Sequence, residues 1–142
     1  MVEGHDRMAA TAPSLENPSP LIRRVLEYER TMRDLVPTCK VASDWAPLVE
    51  FVSVGEFERV GTFLENQDWQ QYIEMVTDWA NSVDSFETTV RRVSELGRLV
   101  YFEIEERHHR GSRVGTVNSL TVFEFNEDGK IRRLDVYLQQ AR

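Results

Sequence analysis

Apolar residues change their period along this chain, and the change predicts where helices give way to strands. Behind Ser19-Pro20, a cap residue followed by proline at the first helical position, Leu21, Ile22, Val25, Tyr28, Met32, Leu35 and Val36 recur at three- and four-residue spacing. This pattern predicts an amphipathic helix that Pro37 ends. Ser43-Asp44 carries a cap signal for one short helix, and the β-branched run from Leu48 to Val54, closed by Gly55, predicts a first strand. A second long helix follows, with Trp69, Tyr72, Ile73, Val76, Trp79 and Ala80 on one stripe. Its start is left open by two capping-box spacings, Thr62 with Glu65 and Asp68 with Gln71.

After Asp84 the period becomes two. Turn signals at Leu96-Gly97-Arg98, Arg110-Gly111-Ser112 and Asn126-Glu127-Asp128-Gly129 separate four strands, about Phe86 to Val93, Leu99 to Glu106, Val114 to Phe125 and Lys130 to Gln139. Connections this short make the strands antiparallel neighbours. In the last strand Leu134, Val136 and Leu138 share one face, and Ile131, Arg133, Asp135 and Tyr137 the other. In the strand before it, Thr121, Phe123 and Phe125 oppose Leu120, Val122 and Glu124. Both faces carry apolar residues, so one covers the helices and the other is a candidate surface for a second copy of the chain.

Length and composition then narrow the class. The 142 residues, 41% hydrophobic and 29% charged, fit one globular domain over residues 19–142, preceded by a flexible tail over residues 1–18. A net charge of −7 repels phosphate backbones and anionic lipid surfaces, which argues against nucleic acid and membrane as partners. The single cysteine, Cys39, has no partner for an internal disulfide. With no secretory pattern in the tail, the expected compartment is the cytoplasm.

The order helix, short helix, strand, long helix and four-stranded meander, closing on VFEFNEDGKIRRLDVYLQ from Val122 to Gln139, resembles the nuclear transport factor 2-like superfamily, particularly its SnoaL-like members. Val49 to Gly61 and Phe86 to Val93 add weaker support. The resemblance implies an α+β fold in which a curved antiparallel sheet wraps around the N-terminal helices as a cone with an internal pocket. It also implies a homodimer built on the outer sheet face. The activity stays open, because the same cone hosts isomerases, dehydratases, cyclases, epoxide hydrolases and binding proteins.

Residue by residue, the resemblance proposes a ligand site of Trp45, Trp69, Tyr72, Trp79, Thr121, Phe123, Val136 and Leu138, with Phe125 as further aromatic lining. In ketosteroid-isomerase-like members a carboxylate base, a tyrosine and an acidic donor cooperate; here Glu50 takes the base position, Tyr28 the tyrosine, and Thr121 replaces the acid. Epoxide-hydrolase-like members need an aspartate on the pocket side of the last strand, where Val136 stands and Asp135 points away unless a bulge intervenes. Dehydratase-like members pair a histidine with a carboxylate and tyrosines. The candidates are His108 and His109 with Glu105 and Glu106, in a run that reads as a solvated hairpin end. Adjacent histidines on a strand point to opposite faces, so no metal site is expected, and no cofactor motif is present. The function expected from the sequence is binding of an apolar, cyclic small molecule, with cofactor-independent acid/base chemistry if the protein is an enzyme. The alternative is a non-catalytic module that docks a partner, or itself, through the outer sheet face.

Overall fold

The computed structural model of the chain describes residues 15–141, so most of the expected tail lies outside the described residues. The first long helix, α1, spans Pro20–Leu35, and Ser19 Oγ accepts from the Ile22 N–H at 3.3 Å, as the Ser-Pro signal predicts. Its stripe of Ile22, Val25, Tyr28 and Met32 is buried. The second helix, α2, spans Trp69–Asn81, and here the structure decides between the two starts. Asp68 accepts from the Gln71 N–H and Gln71 accepts from the Asp68 N–H, each at 2.9 Å, which closes a reciprocal capping box.

The expected first strand over Leu48 to Val54 is corrected. Ala42–Phe51 is a 3-10 helix, started where Asp44 accepts from the N–H groups of Lys40 and Val41. Trp45, Leu48 and Phe51 recur every third residue, the period of a 3-10 turn, and all are buried while Val49 is exposed. Of the predicted strand only Val52 bridges another strand, at Ile131. A further short 3-10 turn, Val54–Glu56, leads into β1, Glu58–Val60, and β2 is the two residues Asn66–Gln67.

The period-two region folds as its alternation predicts. Strands β3 (Ser85–Leu96), β4 (Leu99–Arg110), β5 (Arg113–Phe125) and β6 (Ile131–Gln140) form an antiparallel meander. Gly97 and Gly111 adopt φ of 61° and 62° in its first two turns, where a Cβ would be strained. The sheet order is β2-β1-β6-β5-β4-β3, with β1 parallel to β6, so the sheet is mixed and ends on two free edges. A register shift between Glu124 and Phe125 turns Ile131 inward, where it is fully buried; the expected placement of Ile131 beside Arg133 on the outer face is corrected by this irregularity. From Leu134 onward β6 is regular. Asp135 therefore faces outward, in a double contact with Arg133 at 2.9 and 3.0 Å.

One core joins the inner sheet face to both helices, including Val25, Leu48, Val76, Val100, Phe123 and Leu134. Burying each such side chain contributes roughly 1.5–3 kcal/mol before the cost of ordering the chain. Leu15, at the start of the described residues, already packs against it.

Candidate functional site

The helices cover the inner face without filling it. Between them and the sheet lies an open cavity of about 590 Å³, within the range of small-molecule sites. Tyr28, Glu29 and Met32 reach it from α1, and Tyr72, Met75, Val76 and Trp79 from α2. The sheet supplies Arg59 from β1, Phe102, Ile104, Glu106 and His108 from β4, Ser119, Thr121 and Phe123 from β5, and Leu134, Val136 and Leu138 from β6. Along β4, along β6 and in β5 from Val117 onward the lining residues alternate, as a pleated wall facing one side requires, and at the mouth Gly115 and Thr116 join them.

Two polar groupings interrupt the apolar lining. On β4, Glu106 and His108 are two residues apart and so share the inner face. Their contact is 2.9 Å, Glu106 Oε1 to His108 Nε2, and Ser119 Oγ donates to Glu106 Oε2 at 2.7 Å. Where Glu106 is ionised it only accepts, so the contact takes the Nε2–H tautomer, and Nδ1 makes no hydrogen bond among the described residues. The imidazole is held edge-on by Trp79 and Phe86, with ring centroids 5.4 and 6.2 Å away. Between the helices, the hydroxyls of Tyr28 and Tyr72 lie 3.2 Å apart. Burial pushes both phenols above the usual tyrosine range, Tyr28 most strongly, so both stay protonated.

A second carboxyl, Glu29, lies on the same wall as Tyr28. Burial raises its pKa, although Thr88 Oγ1 donates to it at 2.9 Å and the Arg33 guanidinium is 3.4 Å away. Among the described residues, no group of three histidine, cysteine or acidic side chains is placed to hold a metal ion.

Of the residues expected at a ligand site, Tyr28, Tyr72, Trp79, Thr121, Phe123, Val136 and Leu138 line this cavity. Trp45 does not, because it is fully enclosed in the core and its indole N–H donates to Thr77 Oγ1 at 3.0 Å. Phe125 is likewise enclosed. Trp69 packs edge-on against Phe57, with ring centroids 5.1 Å apart, and stands behind Tyr72 rather than on the cavity wall. Glu50 lies on the outside of the 3-10 helix, its side chain exposed and away from the cavity, so it has no reach to a ligand there.

The reading of Glu105 to Arg110 as a solvated hairpin end is corrected. β4 continues to Arg110, and the His108 side chain is only 13% exposed. Extending the Phe102, Ile104 alternation by two more steps would have placed Glu106 and His108 inward. Glu29, four residues after Val25 on the apolar stripe of α1, carried a similar signal. Arg59 gave none, since a strand of three residues is too short to show a period.

No family model matches the chain, and no curated protein does. Solved structures match it well in shape. A SnoaL-like protein of Shewanella putrefaciens superposes with a TM-score of 0.69 at 8% identity, over 92% of this chain and 87% of that one. An NTF2-like protein of Anabaena variabilis gives 0.69 at 13% identity, over 86% and 91%. TerC, crystallised with polyporic acid, gives 0.66 at 13% identity, over 85% and 92%. At such low identity these likenesses speak for architecture, and together with the mixed, unclosed sheet around its helices they show that this chain has the NTF2-like α+β cone fold shared by SnoaL-like proteins.

Proposed function

We propose that the cavity binds an apolar, cyclic small molecule and that the His108 and Glu106 pair exchanges a proton with it. The observation that carries this reading is the convergence of a carboxyl-paired imidazole and two buried hydroxyls on one largely apolar cavity. That TerC was crystallised with a small cyclic compound supports the same use of the fold.

In this reading the ligand's ring system lies against Phe102, Phe123, Trp79 and Val136, and a hydroxyl of the Tyr28 and Tyr72 pair holds one of its oxygens. That anchoring sets which carbon faces His108. The C–H bond breaks, its proton passes to Nδ1, and its electron pair enters the ligand's conjugated system. Return of the proton elsewhere completes an isomerisation, or a cyclisation where the carbanion attacks within the ligand. Glu106 stabilises the imidazolium formed on the way, and Ser119 holds Glu106 in place.

A thermal-shift screen against apolar enones and polyketide-like aromatics, with chromatography of each stabilising mixture, tests the reading. A stabilising compound should be converted by the wild-type protein and bound unconverted by His108→Gln. Conversion at an equal rate by that variant would remove the proposed base, and no stabilisation by any compound would remove the ligand site.

We infer also that two copies pair through the outer face of the meander. This reading is supported by a concavity of about 380 Å³ there, lined by Leu120 and Tyr137 beside Arg92 and Glu103, with Tyr137 58% exposed and the buried Asn118 Oδ1 lacking a partner among the described residues. Light scattering should give twice the chain mass for the wild type and the single mass for Tyr137→Arg. A single mass for both sets the pairing aside.

A further inference from the structure

The corner of the cavity beside β1 holds more hydrogen-bond donors than acceptors. The Tyr28 and Tyr72 hydroxyls carry two hydrogens and share one bond at 3.2 Å, so one hydrogen has no acceptor among the described residues. Both side chains are at least nine-tenths buried, so bulk water does not freely supply that acceptor.

Arg59 adds a permanent charge to the same corner. It is the register partner of Leu134 and so faces inward with it. Its side chain is only 11% exposed, and its guanidinium carbon lies 5.7 Å from the Tyr72 ring centroid. Both of its recorded polar contacts use one nitrogen: Nη1 donates to Gln67 Oε1 at 2.9 Å and lies 3.6 Å from Glu65 Oε2. Glu65 is itself 43% exposed and accepts from the Phe63 N–H, so it neutralises this cation incompletely. Nε and Nη2 make no hydrogen bond among the described residues, which leaves two donor nitrogens of the fork for a ligand.

The carboxyls of Glu29 and Glu106 sit elsewhere on the wall, Glu106 in register with Val117, whereas Arg59 is level with Leu134 and Phe123. Arg110 is a second cation on the wall, at the His108 end, where its Nε donates to the Ser82 carbonyl oxygen at 3.2 Å. Of the two cations Arg59 is the one beside the spare phenolic hydrogen, so an anion in the β1 corner meets a positive charge and a neutral donor together.

We propose that Arg59, with the Tyr28 and Tyr72 hydroxyls, forms an anion-accepting corner, so that the ligand of this cavity is an ionised acid, a carboxylate carried on an apolar ring system. This rests on the reading of the cavity as a ligand site. The carboxylate is an anchor that reaches the guanidinium edge and the spare phenolic hydrogen, and it leaves the far side of the ring toward His108.

Paired probes of one shape and two charges test this. Isothermal titration of the wild-type protein with 2-naphthoate and with 2-naphthamide should show roughly tenfold or greater preference for the acid, the scale of a charge-assisted hydrogen bond. Arg59→Gln should lose that preference and keep its affinity for the amide, which also reports that the cavity is intact; Arg59→Lys should keep part of the preference. Equal affinity of the wild type for the two probes, or a preference that survives Arg59→Gln, overturns the anion corner and leaves the ligand site standing. Binding of neither probe overturns both.

Discussion

Two adjacent histidines of β4 each meet a glutamate, His108 within the strand and His109 across to β3, and they show how much one residue of register decides. His108 meets Glu106 at 2.9 Å on the inner face, with side chains 13% and 20% exposed. His109 meets Glu87 at 2.8 Å on the outer face, with side chains 31% and 62% exposed. The bonds are alike and the surroundings are not. The outer pair sits in water among Arg107 and other charges, where Coulomb attraction is screened and the net gain is small. The inner pair is walled by Trp79 and Phe86, where each charge is felt by whatever occupies the cavity. Chemistry on this fold therefore follows from the face a pair occupies more than from its identity.

The comparison can be broken first at its support. Phe86→Ala, which removes a buried ring that stands edge-on to both Trp79 and His108, should destabilise the protein by about 3 kcal/mol or more in urea unfolding. The same change at its outward neighbour Glu87 should shift the urea midpoint far less, and equal shifts would mean that the wall is not the source of the difference.

Next comes the pair itself. Against a compound that the wild-type protein converts, Glu106→Gln should slow turnover by about 100-fold or more while leaving its binding in place, and His109→Gln should leave turnover within about twofold. Similar losses from both variants would show that the two pairs are equivalent after all.

The acidic range sharpens the contrast through two other carboxyls. Burial holds Glu29 above its ordinary value, so its contribution to stability is fully present below the unfolded-state pKa and fades as pH rises through the folded value. Glu58, on the outer face of β1, is held below its ordinary value by the Asn66 amide and by Arg133. Its contribution is present above the unfolded-state pKa and fades as pH falls through the folded one. Urea midpoints across the acidic range should therefore move in opposite senses for Glu29→Gln and Glu58→Gln relative to wild type. Movement in the same sense would contradict the assignment of either environment.

The smallest effect belongs to the outer ion pair of Arg92 with Glu103, whose two bonds are each 2.9 Å. Glu103→Gln should change stability by no more than about 1 kcal/mol, measured in the same titration.

What the sequence revealed followed the same division between regular and irregular backbone. β5 and β6 were legible because each runs long enough for alternation to show, and Thr121, Phe123, Val136 and Leu138, which the resemblance proposed for the ligand site, line the cavity. Tyr72 and Trp79 followed from the helical stripe of α2 in the same way. The segment from Leu48 to Val54 misled because Val49, Val52 and Val54 have strand propensity, while the three-residue spacing of Trp45, Leu48 and Phe51 and the Asp44 cap carried the short helix expected at Ser43-Asp44 on to Phe51 as a 3-10 helix. With the strand gone, Glu50 lost its route to the cavity. His108 was hidden by composition: a run of charges read as solvent-facing, although only its alternate members are.

The parallel contact of β1 with β6 has a consequence for how the molecule comes together. Glu58 pairs with Arg133 and Arg59 with Leu134, so this part of the sheet joins segments far apart in the chain. A hairpin such as β4 with β5 needs only its own turn, but β1, joined locally to β2 alone, must wait with its other edge open until the last strand arrives. Loop-closure entropy makes such long-range pairings slow and late. The wall that carries Arg59 is therefore completed after the helices and the hairpins, and refolding monitored at β1 should lag behind refolding monitored at the β4 to β5 turn.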